Sequence, residues 1–131
     1  MGIAFVLWLA GFASAAGPGH SHNMTPEMRS QHNSMSVTQK QWTACKKSLE
    51  ADNYAAAGAA LERMQKAASA LEKFKLHKNA DRVEEFREQS RTFRENLADL
   101  GRAVKEKDKA RAEGLCASID NSCAQCHNVF R

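Results

Sequence analysis

The distribution of proline and glycine is the feature that most restricts the fold of this chain. Both prolines, Pro18 and Pro26, lie near the N-terminus, and only three glycines follow them. The same stretch, residues 27–131, holds 17 alanines against five valines and isoleucines. Proline breaks helices and glycine loosens them, whereas alanine favours helices and β-branched residues favour strands. The chain of 131 residues is therefore predicted to form one all-α domain, and an all-β domain is excluded.

The charged residues are spread along the whole chain. There are 19 Lys and Arg against 15 Asp and Glu, which gives a formal net charge of +4. A nucleic-acid-binding protein would concentrate its positive charge in a stripe or tail, and no run here exceeds two like charges. We therefore expect a solvated helical surface and no nucleic-acid partner.

The N-terminal segment has the pattern of an export signal. Residues 1–16 carry no charged side chain, and their apolar run 3–12 is followed by Ala13-Ser14-Ala15, a typical cleavage site. The run is too short to span a bilayer. We predict a signal peptide over 1–16, with an uncleaved anchor as the alternative, and a flexible leader over 17–27. The mature domain, 28–131, would then have no spanning segment and would lie in the periplasm.

Four helices are predicted in the mature domain. Apolar residues recur every three or four positions over 28–51 and over 53–75, which predicts the first two helices. Asn79 is predicted to cap the third helix and Asp108 to open the fourth. Four helices with short connections pack most simply as an antiparallel up-down four-helix bundle. The predicted core is rich in alanine, which leaves space for a cofactor.

The fourth predicted helix ends in Cys123-Ala124-Gln125-Cys126-His127. C-x-x-C-H is the attachment motif of covalently bound haem c. On a helix the two thiols and the imidazole project from one face, so the thiols can form thioethers with the haem vinyl groups while His127 reaches the iron. The motif therefore predicts one haem c held by Cys123, Cys126 and His127.

Three other interpretations of the motif are weaker. A redox dithiol requires a helix N-terminus that lowers the thiol pKa, and this motif ends a helix. A structural zinc site requires a second ligand pair, which Cys45 and Cys116 do not supply. A disulfide between Cys123 and Cys126 would be geometrically poor within a helix.

Haem attachment on the last of four helices resembles the class II c-type cytochromes, which comprise cytochrome c′ and its low-spin relatives. The ending Cys-x-x-Cys-His-x-x-Phe-Arg is similar to the family's terminal signature, and Arg131 matches its basic residue. The resemblance implies a sixth-ligand position on the first helix, and Met35 fits it best. His32, one turn earlier, is a rival ligand. Met28 lies too early, and Met64 is expected to fill the core.

Cys45 and Cys116 remain after haem attachment. If the first and fourth helices are antiparallel, Cys45 lies about 15 Å beyond Met35 and Cys116 lies about 16 Å from His127 in the same direction. The two thiols then fall at matching heights, and an exported protein can oxidise them. We predict a Cys45–Cys116 disulfide, with two separately packed thiols as the alternative.

These expectations point to a periplasmic single-electron carrier with His/Met axial ligation and redox proteins as partners. No acid/base pair is visible, so we do not expect an enzyme. The alternative is a five-coordinate protein of the cytochrome c′ type that binds NO or CO, and a third interpretation is a haem-free helical interaction module. A homodimer and a monomer are both compatible with the sequence.

Overall fold

The computed structural model describes residues 23–131, so the predicted signal peptide (1–16) and most of the predicted leader lie outside the described residues. The described part is all-α and forms a four-helix bundle. Its helices are α1 (Pro26–Glu50), α2 (Tyr54–Ala68), α3 (Val83–Glu106) and α4 (Lys109–Phe130). A 3₁₀ turn, Ser69–Lys73, extends α2, and a second, Ala80–Arg82, precedes α3. No strand occurs in this part of the chain.

Capping side chains start three of the four helices. The Thr25 hydroxyl accepts a hydrogen bond from the Met28 amide, and Pro26 occupies the first turn of α1. The Asn53 side chain accepts from the Ala56 amide at the start of α2. Asp108 does the same for the amide of Arg111, as expected for the residue predicted to open the fourth helix.

Three predicted boundaries were wrong. Helix α1 begins at Pro26, so two residues assigned to the leader are helical, because Thr25 supplies a cap. The second helix was predicted to reach residue 75, but α2 ends at Ala68, and the chain tightens into a 3₁₀ turn where the Ser69 hydroxyl bonds to the Lys66 carbonyl. Asn79 makes no side-chain cap; its backbone is left-handed, with φ 53° and ψ 45°.

The core is built from large aliphatic residues interleaved with alanines. Its largest fully buried side chains are those of Leu61, Met64, Leu97, Leu100, Ile119 and Cys45. Alanines such as Ala57 and Ala103 are equally inaccessible. Helix α1 packs closely on α2, and α3 packs closely on α4. The backbones of α1 and α4 stay apart along most of their length, so these two helices meet chiefly through side chains.

Two ion pairs join α1 and its following turn to α4. Lys46 pairs with Asp120 at 2.9 Å, and Asp52 pairs with Lys109 at 2.8 Å. Asp52 follows Lys46 along the chain, whereas its partner Lys109 precedes Asp120, so the two pairs run in opposite order on the two sides. Among residues 23–131, no helix is long and apolar enough to cross a bilayer.

Candidate functional site

The three residues of the C-x-x-C-H motif lie in the last turns of α4. The helix is continuous to Phe130, so Cys123, Cys126 and His127 project from neighbouring positions of one helical surface. All three side chains are half-buried, and the two cysteines pack against the edge of the core. The side chains are therefore sheltered on one side and open on the other.

Burial favours the uncharged form of all three side chains of the motif. It raises the pKa of Cys126 to about 11, with a further contribution from Cys123. Burial also raises the pKa of Cys123, and the Asp120 carboxylate adds to that effect. The pKa of His127 is lowered by burial and then by the charge of Arg131, so the imidazole is neutral at pH 7.

These shifts bear on the competing interpretations of the motif. A redox dithiol requires a thiol pKa below the ordinary value, because the thiolate is the nucleophile. Cys123 and Cys126 are shifted in the opposite direction. A neutral imidazole, by contrast, is the form of histidine that binds iron. Two thiols and a neutral imidazole on one helix surface suit the chemistry of a covalently attached haem.

The end of α4 that carries the motif is held by α3 and by the segment before it. The rings of Phe86 and Phe130 meet edge to face, with centroids 5.3 Å apart. Nδ2 of Asn79 donates to the Val129 carbonyl at 2.6 Å, and Lys78 Nζ donates to the Arg131 carbonyl at 3.0 Å. The motif thus lies on a fixed helix end, although the Arg131 side chain itself is exposed.

The candidate ligands on α1 differ in burial. Met35 is half-buried and packs against the core, whereas His32 is exposed. Met64 is fully buried in α2, consistent with its predicted role in packing. Of the two rivals on the first helix, Met35 therefore has the surroundings expected of a thioether ligand, and His32 has those of a solvated side chain.

A polar cluster of Trp42, Lys46 and Asp120 joins α1 to α4. The indole Nε1 of Trp42 donates to Oδ1 of Asp120 at 2.6 Å, and Trp42 is only 2% exposed. Lys46 Nζ donates to both carboxylate oxygens, at 2.9 and 3.0 Å, and lies 5.2 Å from the centre of the indole ring. Sequence reasoning missed Asp120, although a buried indole N–H requires a partner.

Cys45 and Cys116 lie near each other in the bundle. Cys45 is fully buried, and burial raises its pKa to about 12, with a further contribution from Cys116. Cys116 is half-buried in the wall of a cleft of about 380 Å³ between the start of α4 and the end of α1. Both cysteines are free thiols in the structure, and their oxidation to a disulfide stays a prediction.

No group of three His, Cys, Asp or Glu side chains arranged to bind a metal ion occurs within residues 23–131. Comparison of the chain with models of protein families, with characterised proteins and with solved structures gives no match.

Proposed function

We propose that this chain is a c-type cytochrome of the class II kind, an antiparallel up-down bundle with one haem c that carries single electrons in the periplasm. The observation that carries the proposal is the arrangement of Cys123, Cys126 and His127 on one half-buried surface of α4. The opposite order of the Lys46–Asp120 and Asp52–Lys109 pairs supports the antiparallel arrangement of α1 and α4. Export rests on the apolar segment 1–16 and its cleavage pattern.

Each residue of the site has a distinct role in this proposal. Cys123 and Cys126 would hold the porphyrin covalently, because each S–H group could add across one vinyl group to give a thioether without an oxidant. His127 would hold the iron, because its lowered pKa keeps an imidazole nitrogen unprotonated and able to bind a metal. Met35 on α1 would supply a thioether as the second iron ligand, and Arg131 places a positive charge beside His127. The bound haem supplies one electron at a time by changing between its ferric and ferrous forms.

The bundle suits electron transfer because it restrains both ligand-bearing helices. Phe86, Asn79 and Lys78 hold the end of α4, and the polar cluster joins α4 to α1. Ligands that stay in place in both oxidation states keep the cost of electron exchange low. A thioether ligand also favours ferrous iron and raises the reduction potential above that of a bis-histidine haem.

Intact-mass measurement tests the attachment of haem. The full chain is produced in a bacterium that attaches haem c in its periplasm, and the denatured protein is then weighed. We expect the mass of one haem to stay on the wild type and to be lost in the C123A/C126A variant. The C116A variant is the matched control and should retain the haem. A wild-type chain without bound haem, under conditions in which a known cytochrome c is loaded, would overturn the proposal.

Absorption spectra then separate electron transfer from gas binding. A low-spin spectrum that Met35→Ala converts to a high-spin one supports His/Met ligation. A high-spin ferrous spectrum that Met35→Ala leaves unchanged would instead support a five-coordinate protein that binds NO or CO.

A further inference from the structure

The polar cluster lies at equal distances along the chain from the two predicted axial ligands. Trp42 follows Met35 by seven residues on α1, and Asp120 precedes His127 by seven residues on α4. Seven residues are two helical turns, so each pair lies on one face of its helix, about 10 Å apart along the axis. With α1 and α4 antiparallel, as proposed above, Met35 and His127 lie at the same height on the same side of the cluster.

We propose that the hydrogen bond from Trp42 to Asp120 is a positioning contact that sets the register of α1 against α4, and thereby holds Met35 opposite His127. This inference rests on the proposed haem function. It adds two positioning residues, Trp42 and Asp120, that no attachment motif contains.

Three observations make this contact suitable for setting the register. Its donor is fixed, because Trp42 is 2% exposed and its ring cannot move without disturbing the core. The hydrogen bond is short, at 2.6 Å, and its acceptor is ionised, which strengthens it. The backbones of α1 and α4 stay apart along most of their length, so their relative height depends on side-chain contacts such as this one.

The contacts that Asp120 makes with Trp42 and Lys46 keep its carboxyl group ionised. Burial would raise the pKa of its carboxyl group, but the hydrogen bonds from Trp42 and Lys46 and the charge of Lys46 outweigh that effect and lower it. The ammonium group of Lys46 is about one-third exposed and the Asp120 carboxylate about half exposed, so this ion pair is solvated. The buried indole N–H, rather than the lysine, is therefore the specific element of the cluster.

Four variants of the full-length haem protein test the contact. W42F keeps the aromatic bulk and removes the donor, and D120A removes the acceptor. K46Q removes the ion pair and keeps the indole–carboxylate bond. V104A removes buried atoms from the last turns of α3, far along that helix from Phe86, and so controls for a general loss of stability. All four are compared at a temperature at which each is folded.

The readouts are the covalent haem mass, the methionine-to-iron charge-transfer band of the ferric protein and the midpoint potential. We expect all four variants to retain haem. W42F and D120A should lose most of the charge-transfer band and have a lower potential than the wild type, as M35A does, because the thioether no longer stays on the iron. K46Q and V104A should match the wild type in both band and potential.

The outcomes distinguish this inference from the proposed function. Wild-type protein without covalent haem would overturn the proposed function and this inference with it. Haem-loaded W42F and D120A that keep the wild-type band and potential would overturn the inference alone. A change in V104A as large as that in W42F would also overturn it, because general destabilisation would then explain the result.

Discussion

Nδ2 of Asn79 donates a 2.6 Å hydrogen bond to the backbone oxygen of Val129, which joins the chain before α3 to the last turn of α4. Asn79 also has a left-handed backbone, with φ 53°, a conformation that asparagine adopts more readily than most residues. One side chain therefore both permits the turn and restrains the helix end that carries the C-x-x-C-H motif.

Replacing Asn79 should consequently destabilise the protein through two separable effects. N79A loses the hydrogen bond, worth about 1 kcal/mol, and places a Cβ-bearing residue without a local polar partner in a left-handed conformation, which costs about 1 kcal/mol more. We expect its free energy of unfolding in urea to fall by about 2 kcal/mol. N79G loses only the hydrogen bond without that backbone cost and should fall by about 1 kcal/mol. Equal stability of N79A and wild type would contradict both effects.

The same residue illustrates what the sequence could predict. The spacing of apolar residues predicted four helices, and Asp108 was correctly predicted to open the last of them. An asparagine before an amphipathic stretch normally indicates a cap. At Asn79 that inference was wrong because the side chain bonds to α4 instead, 50 residues further along the chain. Local pattern cannot reveal such a partner before the helix packing is known.

The residues of the candidate site also differ in whether the sequence alone could identify them. The motif residues Cys123, Cys126 and His127 could be identified from spacing alone, because they are neighbours on one helix. Asp120 could not, because its role depends on which residue of α1 lies opposite. A buried tryptophan in the stripe of α1 shows only that some acceptor is needed. Its identity follows from the register of the two helices, which one sequence does not contain.

The lowered pKa of Asp120 predicts a pH-dependent contribution to stability. Its ordinary value is 3.8, and in the folded state it is lower, so folding favours the ionised carboxylate. The contribution is complete above the unfolded pKa and is lost as the pH falls through the folded value. We expect the difference in unfolding free energy between wild type and D120N to be constant from about pH 6 to 7 and to shrink between about pH 4 and 3.

Urea unfolding at a series of pH values measures this difference directly. Subtracting the D120N curve from the wild-type curve removes the titration of all groups that the two proteins share. A difference that does not depend on pH would show that Asp120 has the same pKa in the folded and unfolded chains. A difference that grows on acidification would reverse the expected sign.

Alkylation of the cysteines tests the predicted Cys45–Cys116 disulfide. Burial raises the pKa of both thiols, so neither should react readily with an alkylating reagent in the folded protein, whether or not a bridge is present. Alkylation must therefore be performed after unfolding in urea without reductant. We expect no label on either residue in periplasmic protein and two labels after reduction.

A matched variant controls this measurement. C45S leaves Cys116 without a partner, so Cys116 should take one label without any reductant. Two labels on the unreduced, unfolded wild type would show that the cysteines pack separately as thiols, which is the alternative interpretation. If the bridge forms, its loss in C45S should lower the unfolding free energy by about 2–4 kcal/mol, as for typical disulfides.

Gly114 in α4 offers a stabilising substitution near the start of the helix that carries the site. A Cβ built there meets no atom within 4 Å, and its φ lies outside the left-handed region. Glycine in a helix interior costs about 0.5–1 kcal/mol relative to alanine, so G114A should raise the unfolding free energy by that amount. G101A is the comparison, because its Cβ would lie 3.6 Å from Nε2 of Gln65, which is ordinary van der Waals contact, and its gain should be similar. A G114A protein that is no more stable than wild type in urea would contradict this prediction.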